Sequence, residues 1–431
     1  MNFSGLVHED RFPEGLRVHL LGLFTNADEL RRRYGTRDSA THEELLAASY
    51  RARGSACVDE LEGEYAFVVI DGRERIVLCG RDRLGLKPLY YRLRTQNGVK
   101  DLAFATTLAS ARAWPGFAPT PDLNALAFSL AEVHFDQSLT WYQNVSALPQ
   151  AHALLWQDGR ARIFRYWTPG LGKVLALANH GEYLEHAHEL FRRAVGARLT
   201  ELQGPVSVFL SGGLDSGLVA KLAEEKLRSE HHDRAALLHT HSAICRAGAA
   251  DESAGIARTI SGAAWRAHTL EVSPDNPILD IPEPGRLRDV TYAPHNFFGI
   301  PLLEDMQARD IHTVFSGYGG DDVFSPGLFA AEFLRRGRVV SAVGAVNELS
   351  YPGDNKLNVF WTHGVRPLLV GLRNRYMASA LKRPVSSLLS PEFDQKAGIS
   401  VAYNEYLDRN RASEGDLPRR NLYRKFFVRG G

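Results

Sequence analysis

The segment that most limits what this chain can fold into is Val206 to Leu210 with the twenty residues after it. A short run rich in β-branched and apolar residues leads into Ser211-Gly212-Gly213-Leu214-Asp215-Ser216, and a helical pattern opens at Leu214. A buried strand that turns through two glycines straight into a helix is a unit of a parallel sheet. The pattern then repeats. Strands are predicted over Ala235 to His241, His268 to Val272 and His312 to Phe315, separated by helices over Asp251 to Ile260 and Phe297 to Ala308. Leu184, Ala187, Leu190, Phe191, Ala194 and Val195 recur at helical spacing ahead of the first strand, and the chain beyond Gly327 reads as helical. Strand and helix in alternation imply a parallel sheet with helices on both faces.

The first 166 residues read differently. Arg17 to Phe24, Glu64 to Ile70, Arg75 to Cys79 after the Asp71-Gly72 turn, and Lys87 to Tyr91 suggest strands. Ala153 to Gln157, the Asp158-Gly159 turn and Ala161 to Tyr166 suggest a hairpin. Helical pattern enters at Glu43 to Arg53 and Asp122 to Leu130, so this part is α+β and mainly antiparallel. Trp167-Thr168-Pro169-Gly170-Leu171-Gly172 interrupts both periodicities and marks a linker. A chain of 431 residues is long enough for two cores, and the expected division is 1–167 and 174–431.

Composition removes several functions. Lys plus Arg (51) nearly equals Asp plus Glu (50), so no overall basic field would gather nucleic acid. No window approaches the roughly 20 apolar residues of a membrane span, and the amino terminus carries charges where a secretory signal needs an apolar stretch. The expectation is a cytoplasmic protein without nucleic-acid or membrane partners. Cys57, Cys79 and Cys245 have no paired spacing, which argues against a disulfide framework or a zinc knuckle and leaves them as small buried hydrophobes.

The chemistry concentrates in two loops. Glycines at 212 and 213 let a ligand approach the backbone, and the amides of a helix N-terminus attract phosphate oxygens, with the hydroxyls of Ser211 and Ser216 as further donors. A carboxylate in such a cradle, Asp215, repels phosphate unless a cation lies between them, which implies Mg2+. No Lys follows the glycines, so this is not a Walker loop. Phe315-Ser316-Gly317-Tyr318-Gly319-Gly320-Asp321-Asp322 is a second glycine-rich loop after a predicted strand. Loops at the carboxyl ends of parallel strands face a common ligand, so Asp215 and Asp321 are candidates to hold one metal ion.

SGGLDS followed by SGYGGDD resembles the synthetase domain of the asparagine synthetase B family, a PP-loop domain of the adenine-nucleotide α-hydrolase-like kind. Leu61 to Asp71 and Gly80 to Tyr91 resemble that family's amino-terminal Ntn-type glutaminase. The resemblance implies ATP and Mg2+, with adenylation of a carboxylate and transfer of the acyl group to an amine. By match of motif it assigns Leu210, Ser211, Gly212, Gly213, Asp215, Ser216, Ser242, Ser316 and Gly317 to ATP and pyrophosphate, and Asp215 and Asp321 to the metal. Asp215, Asp321 and Tyr318 are the expected catalytic positions. Asp251 and Glu252 match an acidic pair of the family, which a helix N-terminus explains equally well.

Departures from the family refine this expectation. Position 2 is Asn where the glutaminase nucleophile would be Cys, Leu21 stands at the oxyanion amide, and Thr41 stands where a substrate-binding Asp is usual. These imply an amino-terminal domain that does not hydrolyse glutamine. Tyr318 replaces the Glu associated with aspartate, which makes the chain more similar to β-lactam synthetases and lasso-peptide cyclases, whose amine is already on a small-molecule or peptide substrate. The family's carboxyl-terminal lysine has candidates only by residue type, at Lys356, Lys382, Lys396 and Lys425, and the chain reads as short there. An ammonia-using asparagine synthetase and a catalytically impaired nucleotide-binding protein, docking in a biosynthetic complex, are the alternatives. His231-His232 reads as a solvated loop, and His295-Asn296 as a helix cap or packing.

Overall fold

A computed structural model describes residues 2–96, 98–130, 136–169, 175–200, 202, 204–230, 232–244, 252–272, 296–320, 329–350, 355–369 and 392. In chain order the first elements are β1 (Ser4–His8), β2 (Leu16–Phe24), α1 (Ala27–Tyr34), α2 (His42–Arg53), β3 (Gly63–Asp71), β4 (Ile76–Arg81), β5 (Tyr90–Gln96), β6 (Val99–Ala105), α3 (Leu108–Ala111), α4 (Leu123–Leu130), β7 (Ser146–Ala147), β8 (His152–Gln157) and β9 (Arg160–Arg165). There follow α5 (His180–Thr200), β10 (Val206–Phe209), α6 (Leu214–Glu230), β11 (Leu238–Ile244), α7 (Ser253–Ile260), β12 (Arg266–Glu271), α8 (Asn296–Ala308), β13 (Thr313–Ser316), α9 (Phe329–Arg335), α10 (Val339–Leu349) and α11 (Lys356–Phe360). Contacts divide the chain into two units, residues 1–22, 39–171 and 322–431 in one, 23–38 and 172–321 in the other.

The first unit holds two sheets, ordered β1-β6-β5-β7 and β2-β3-β4-β8-β9. Val7, Leu102 and Phe104 of the first share a core with Ala66, Val68, Ile70, Val77, Cys79, Leu154 and Trp156 of the second, so the sheets face one another. Burying each large apolar side chain of this layer contributes about 1.5–3 kcal/mol. Local chemistry sets the turns. The Asp71 carboxylate accepts from the amides of Arg73 and Glu74 at 3.0 and 3.2 Å. Asp158 and Gly159 both have positive φ, 49° and 64°, in the two-residue turn between paired Gln157 and Arg160.

One expected strand starts late. Lys87 to Tyr91 does not open a strand, because Asp82, fully buried, gathers the amides of Leu84, Leu86 and Lys87 at 2.9–3.0 Å. The Arg81 guanidinium holds the carbonyls of Gly85, Lys87 and Leu148. The 82–87 segment therefore wraps around the hydrogen bonds of two side chains, Arg81 and Asp82, and β5 begins only at Tyr90. The strands β1 and β6 have no counterpart in the sequence reading. In the same unit α9 and α10 share a small core of Ala330, Ala345 and Val346.

The second unit carries the parallel sheet, ordered β12-β11-β10-β13, in which β10 pairs β11 and β13 in parallel and β11 pairs β12 in parallel. Val206, Val208 and Leu210 pack on one face with Val195 and Leu199 of α5, Ala220, Ala223 and Leu227 of α6, and Ile256 of α7. The opposite face of β10 and β11 carries Ser207, His239 and His241 by the period of two, and His241 bonds Asp305 of α8. The strand expected from Ala235 begins at Leu238, since 232–237 is a 3-10 helix. Pairing explains the shift: β10 starts at Val206, whose partner is Leu238, and earlier residues have no neighbouring strand.

Candidate active site

β10 ends at Phe209, where the Leu210 amide donates to the His241 carbonyl at 2.9 Å and keeps the chain against the sheet for one more residue. The backbone then reverses at Gly212, which has φ +72° and lies so close to α7 that a β-carbon there would come 2.9 Å from the Ile256 amide nitrogen. Glycine is required at this position on both counts. The Ser216 hydroxyl, buried in the first turn of α6, accepts from the Ser211 amide at 3.2 Å and lies 3.1 Å from the Ser211 hydroxyl, closing the loop on itself. Gly217 donates to the Gly213 carbonyl at 3.3 Å. The amides of Leu214, Asp215 and Ser216 lie in the turn before that bond, where a helix leaves its N–H groups to other partners.

The second loop reaches the first. β13 pairs in register with β10, Phe209 opposite Ser316, so both chains leave the sheet at the same level. Gly317 then sits over the first turn of α6, where a β-carbon would come 2.7 Å from the Ser216 amide nitrogen and 3.0 Å from the Asp215 Cβ. A β-carbon on Gly320 would overlap the Asp215 carboxylate. Two side-chain-free residues let the loops meet at Asp215. The Gly320 amide bonds the Gly317 carbonyl at 3.1 Å, and the Tyr318 amide faces the Ser316 hydroxyl at 3.4 Å.

The expected residues thus fall as follows. Leu210, Ser211, Gly212, Gly213, Asp215, Ser216, Ser316 and Gly317 come together at the carboxyl ends of β10 and β13. Ser242 is buried near the carboxyl end of β11, the next strand. Tyr318 is 81% exposed at the tip of the second loop. Asp321 lies outside the described residues, directly after Gly320, as do Asp251, His231, His295, Cys245, Lys382, Lys396 and Lys425. Glu252 precedes α7 and its carbonyl accepts the Ile256 amide at 3.0 Å, the helix-terminus role. Lys356 donates to the Asn347 side chain at 3.0 Å.

Sequence reasoning missed a groove of about 700 Å³ beside the first loop, lined by Gly213, Asp215, Lys221, Arg258, Thr259 and Ser261 among others. Two cations, Lys221 on α6 and Arg258 on α7, line it with the Asp215 carboxylate. The Lys221 ammonium lies over the Trp265 ring, 4.6 Å from its centroid, and pairs with Glu224 at 3.3 Å. Only the tertiary pairing of α6 and α7 puts the two cations together, so no sequence spacing announces them. The donor set around Asp215 fits Mg·ATP: a carboxylate for a hard cation, amides and hydroxyls for phosphate oxygens, and glycines where a side chain would fill the cradle.

In the first unit, Thr41, at a position the family ties to glutamine binding, has a local role. Thr41 is the N-cap of α2 in a reciprocal capping box with Glu44. Cys57 and Cys79 are buried, and burial pushes both thiols up to about 12.

Residues 186–422 match the family model described as asparagine synthase, more than half of the chain. The chain belongs to the asparagine synthase family. Residues 16–167 match a second model, described as a glutamine amidotransferase domain. Asparagine synthetase [glutamine-hydrolyzing] 3 of Bacillus subtilis is 30% identical over 51% of this chain and 35% of the relative. A putative asparagine synthetase [glutamine-hydrolyzing] 2 of Methanocaldococcus jannaschii is 26% identical over 70% of this chain and 57% of the relative. Amidase chry2 of Gibberella zeae is 28% identical over 65% and 42%. The chain matches between about a third and three fifths of the length of these relatives.

Proposed function

We propose that this member of the asparagine synthase family is an ATP-dependent amide-forming ligase, divided near 167 and 174, whose two loops bind ATP with Mg2+. A substrate carboxylate oxygen bonds to the α-phosphorus as the α–β bridging P–O bond breaks and pyrophosphate leaves. The amine nitrogen then bonds to the acyl carbon, AMP departs, and the amine loses its proton. The magnesium ion would neutralise phosphate charge, held by Asp215 and Asp321. The loop amides and the hydroxyls of Ser211 and Ser216 would hold the pyrophosphate group, Leu210 and Ser242 would lie toward the adenosine, and Tyr318 with Ser316 and Gly317 would face the acyl group. Such a site works by positioning and charge stabilisation, with no covalent enzyme intermediate.

The observation that carries the reading is the pressing of Gly317 and Gly320 onto Asp215 and Ser216, which gives a carboxylate at the meeting point of two glycine loops and a helix N-terminus. The amine is proposed to reside on the substrate, as in lasso-peptide cyclases and β-lactam synthetases, because neither described cysteine is available as a glutaminase nucleophile. The test is carboxylate-dependent exchange of labelled pyrophosphate into ATP, run with aspartate and with amino-bearing peptide acids. Exchange with an amino-bearing acid, absent in Asp215→Ala, is the expected result. Exchange with aspartate, with asparagine formed from ammonia, would establish the simpler synthetase instead. No exchange with any acid despite ATP binding would leave a nucleotide-binding protein without ligase activity.

A further inference from the structure

The α8-facing side of the parallel sheet carries a polar cluster that the proposed ligase reaction does not use. His239-Thr240-His241 on β11 places two imidazoles on one face by the period of two, and the pairing of His241 with His268 on β12 brings a third beside them. The rings stack, with centroids of His241 and His268 4.7 Å apart and of His239 and His268 5.1 Å apart. From α8, Asp305 sets its Oδ2 3.0 Å from His241 Nε2. One ligand atom each from His241, His268 and Asp305 lie within 4.8 Å of one another.

Buried positions on a parallel sheet ordinarily carry apolar side chains. Here three imidazoles and a carboxylate converge instead, and each ring is oriented by a partner. The Ser207 hydroxyl on β10 lies 2.6 Å from His241 Nδ1, which leaves Nε2 facing Asp305. His239 Nδ1 lies 2.9 Å from His268 Nε2 and fixes that ring. Outer hydrogen bonds that set the tautomer and direction of an imidazole are the arrangement found behind metal-binding histidines.

We propose that His241, His268 and Asp305 form a site for a divalent transition-metal ion of zinc-like preference, tying β11, β12 and α8 together. Two imidazole nitrogens and one carboxylate oxygen suit zinc, with bonds of about 2.0–2.2 Å and a fourth position left for water. Drawing the three atoms to one ion takes a shift of roughly an ångström in a side chain. Arg309 marks the same spot: its guanidinium bonds both Asp305 oxygens, at 2.7 and 3.2 Å, and occupies the place of a cation there. That side chain is 42% exposed and can swing into solvent when an ion enters. The site is distinct from the two-loop site, since Leu210 and Ser242 project to the other face of the sheet.

The test titrates the chelator-treated full chain with Zn2+ by calorimetry, with Co2+ absorption as the geometric probe. One equivalent is expected in the wild type and equally in Asp215→Asn, which removes the carboxylate of the other site. Asp305→Asn, isosteric and checked by near-UV circular dichroism, should weaken binding by about tenfold or more. Arg309→Gln should tighten it severalfold by freeing Asp305. The proposal is overturned if the wild type takes up no ion, if Asp305→Asn binds as the wild type does, or if Asp215→Asn abolishes the uptake. Unchanged affinity in Arg309→Gln would likewise contradict the geometry argued for Asp305.

Discussion

Cys57 and Cys79 show how burial decides what a residue can do. Burial pushes both thiols up to about 12, far above pH 8, and the thiolate is the reactive form. Iodoacetamide labelling at pH 8, read by peptide mapping, should leave both unmodified in the native chain and modify both in urea. Rapid native labelling of either would place that thiol at a surface. Their reading as buried hydrophobes was legible from isolated spacing alone. Other residues were opaque. Asp101 is only 3% exposed because its register partner Arg94 meets it at 2.8 Å across the strand pair, and an acidic residue in a strand hides the alternation that would have revealed β6. The histidines at 239, 241 and 268 become a cluster only through strand register.

At the scale of elements, the loops depend on glycine where they touch. Gly320→Ala should lower pyrophosphate exchange by about 100-fold or more while leaving the thermal midpoint nearly unchanged, because the added methyl displaces the Asp215 carboxylate and nothing in the core. Exchange at the wild-type rate would mean that Asp215 does not act from the position described. Strands flanked by turn residues were legible to within one or two residues, among them β3, β8 and β10, since apolar runs ended by Asp-Gly or Gly-Gly leave little choice. Boundaries failed where tertiary partners set them: Asp82 holds back the start of β5, and the start of β10 fixes that of β11. The first loop of the candidate site could be read from sequence because its chemistry is contiguous. Lys221 and Arg258 could not, since α6 and α7 bring them together only in space.

For the whole molecule, a unit of two facing sheets and a parallel-sheet unit follow from the change of periodicity near residue 170; one family model ends at residue 167 and the other begins at 186. If the first unit hydrolyses glutamine, it does so without Cys57 or Cys79; the expectation is that glutamine releases no ammonia in the presence of the chain, measured by a coupled glutamate assay. On the proposed reading, two loops build one Mg2+-dependent ATP site around Asp215. Its most direct test is a calorimetric titration of ATP with and without Mg2+, comparing the wild type with Asp215→Asn. A wild-type affinity that rises about tenfold or more with Mg2+, and an Asp215→Asn affinity that does not respond to the ion, is the expected result. An equal Mg2+ response in both proteins would contradict the assignment of Asp215 and with it the two-loop site.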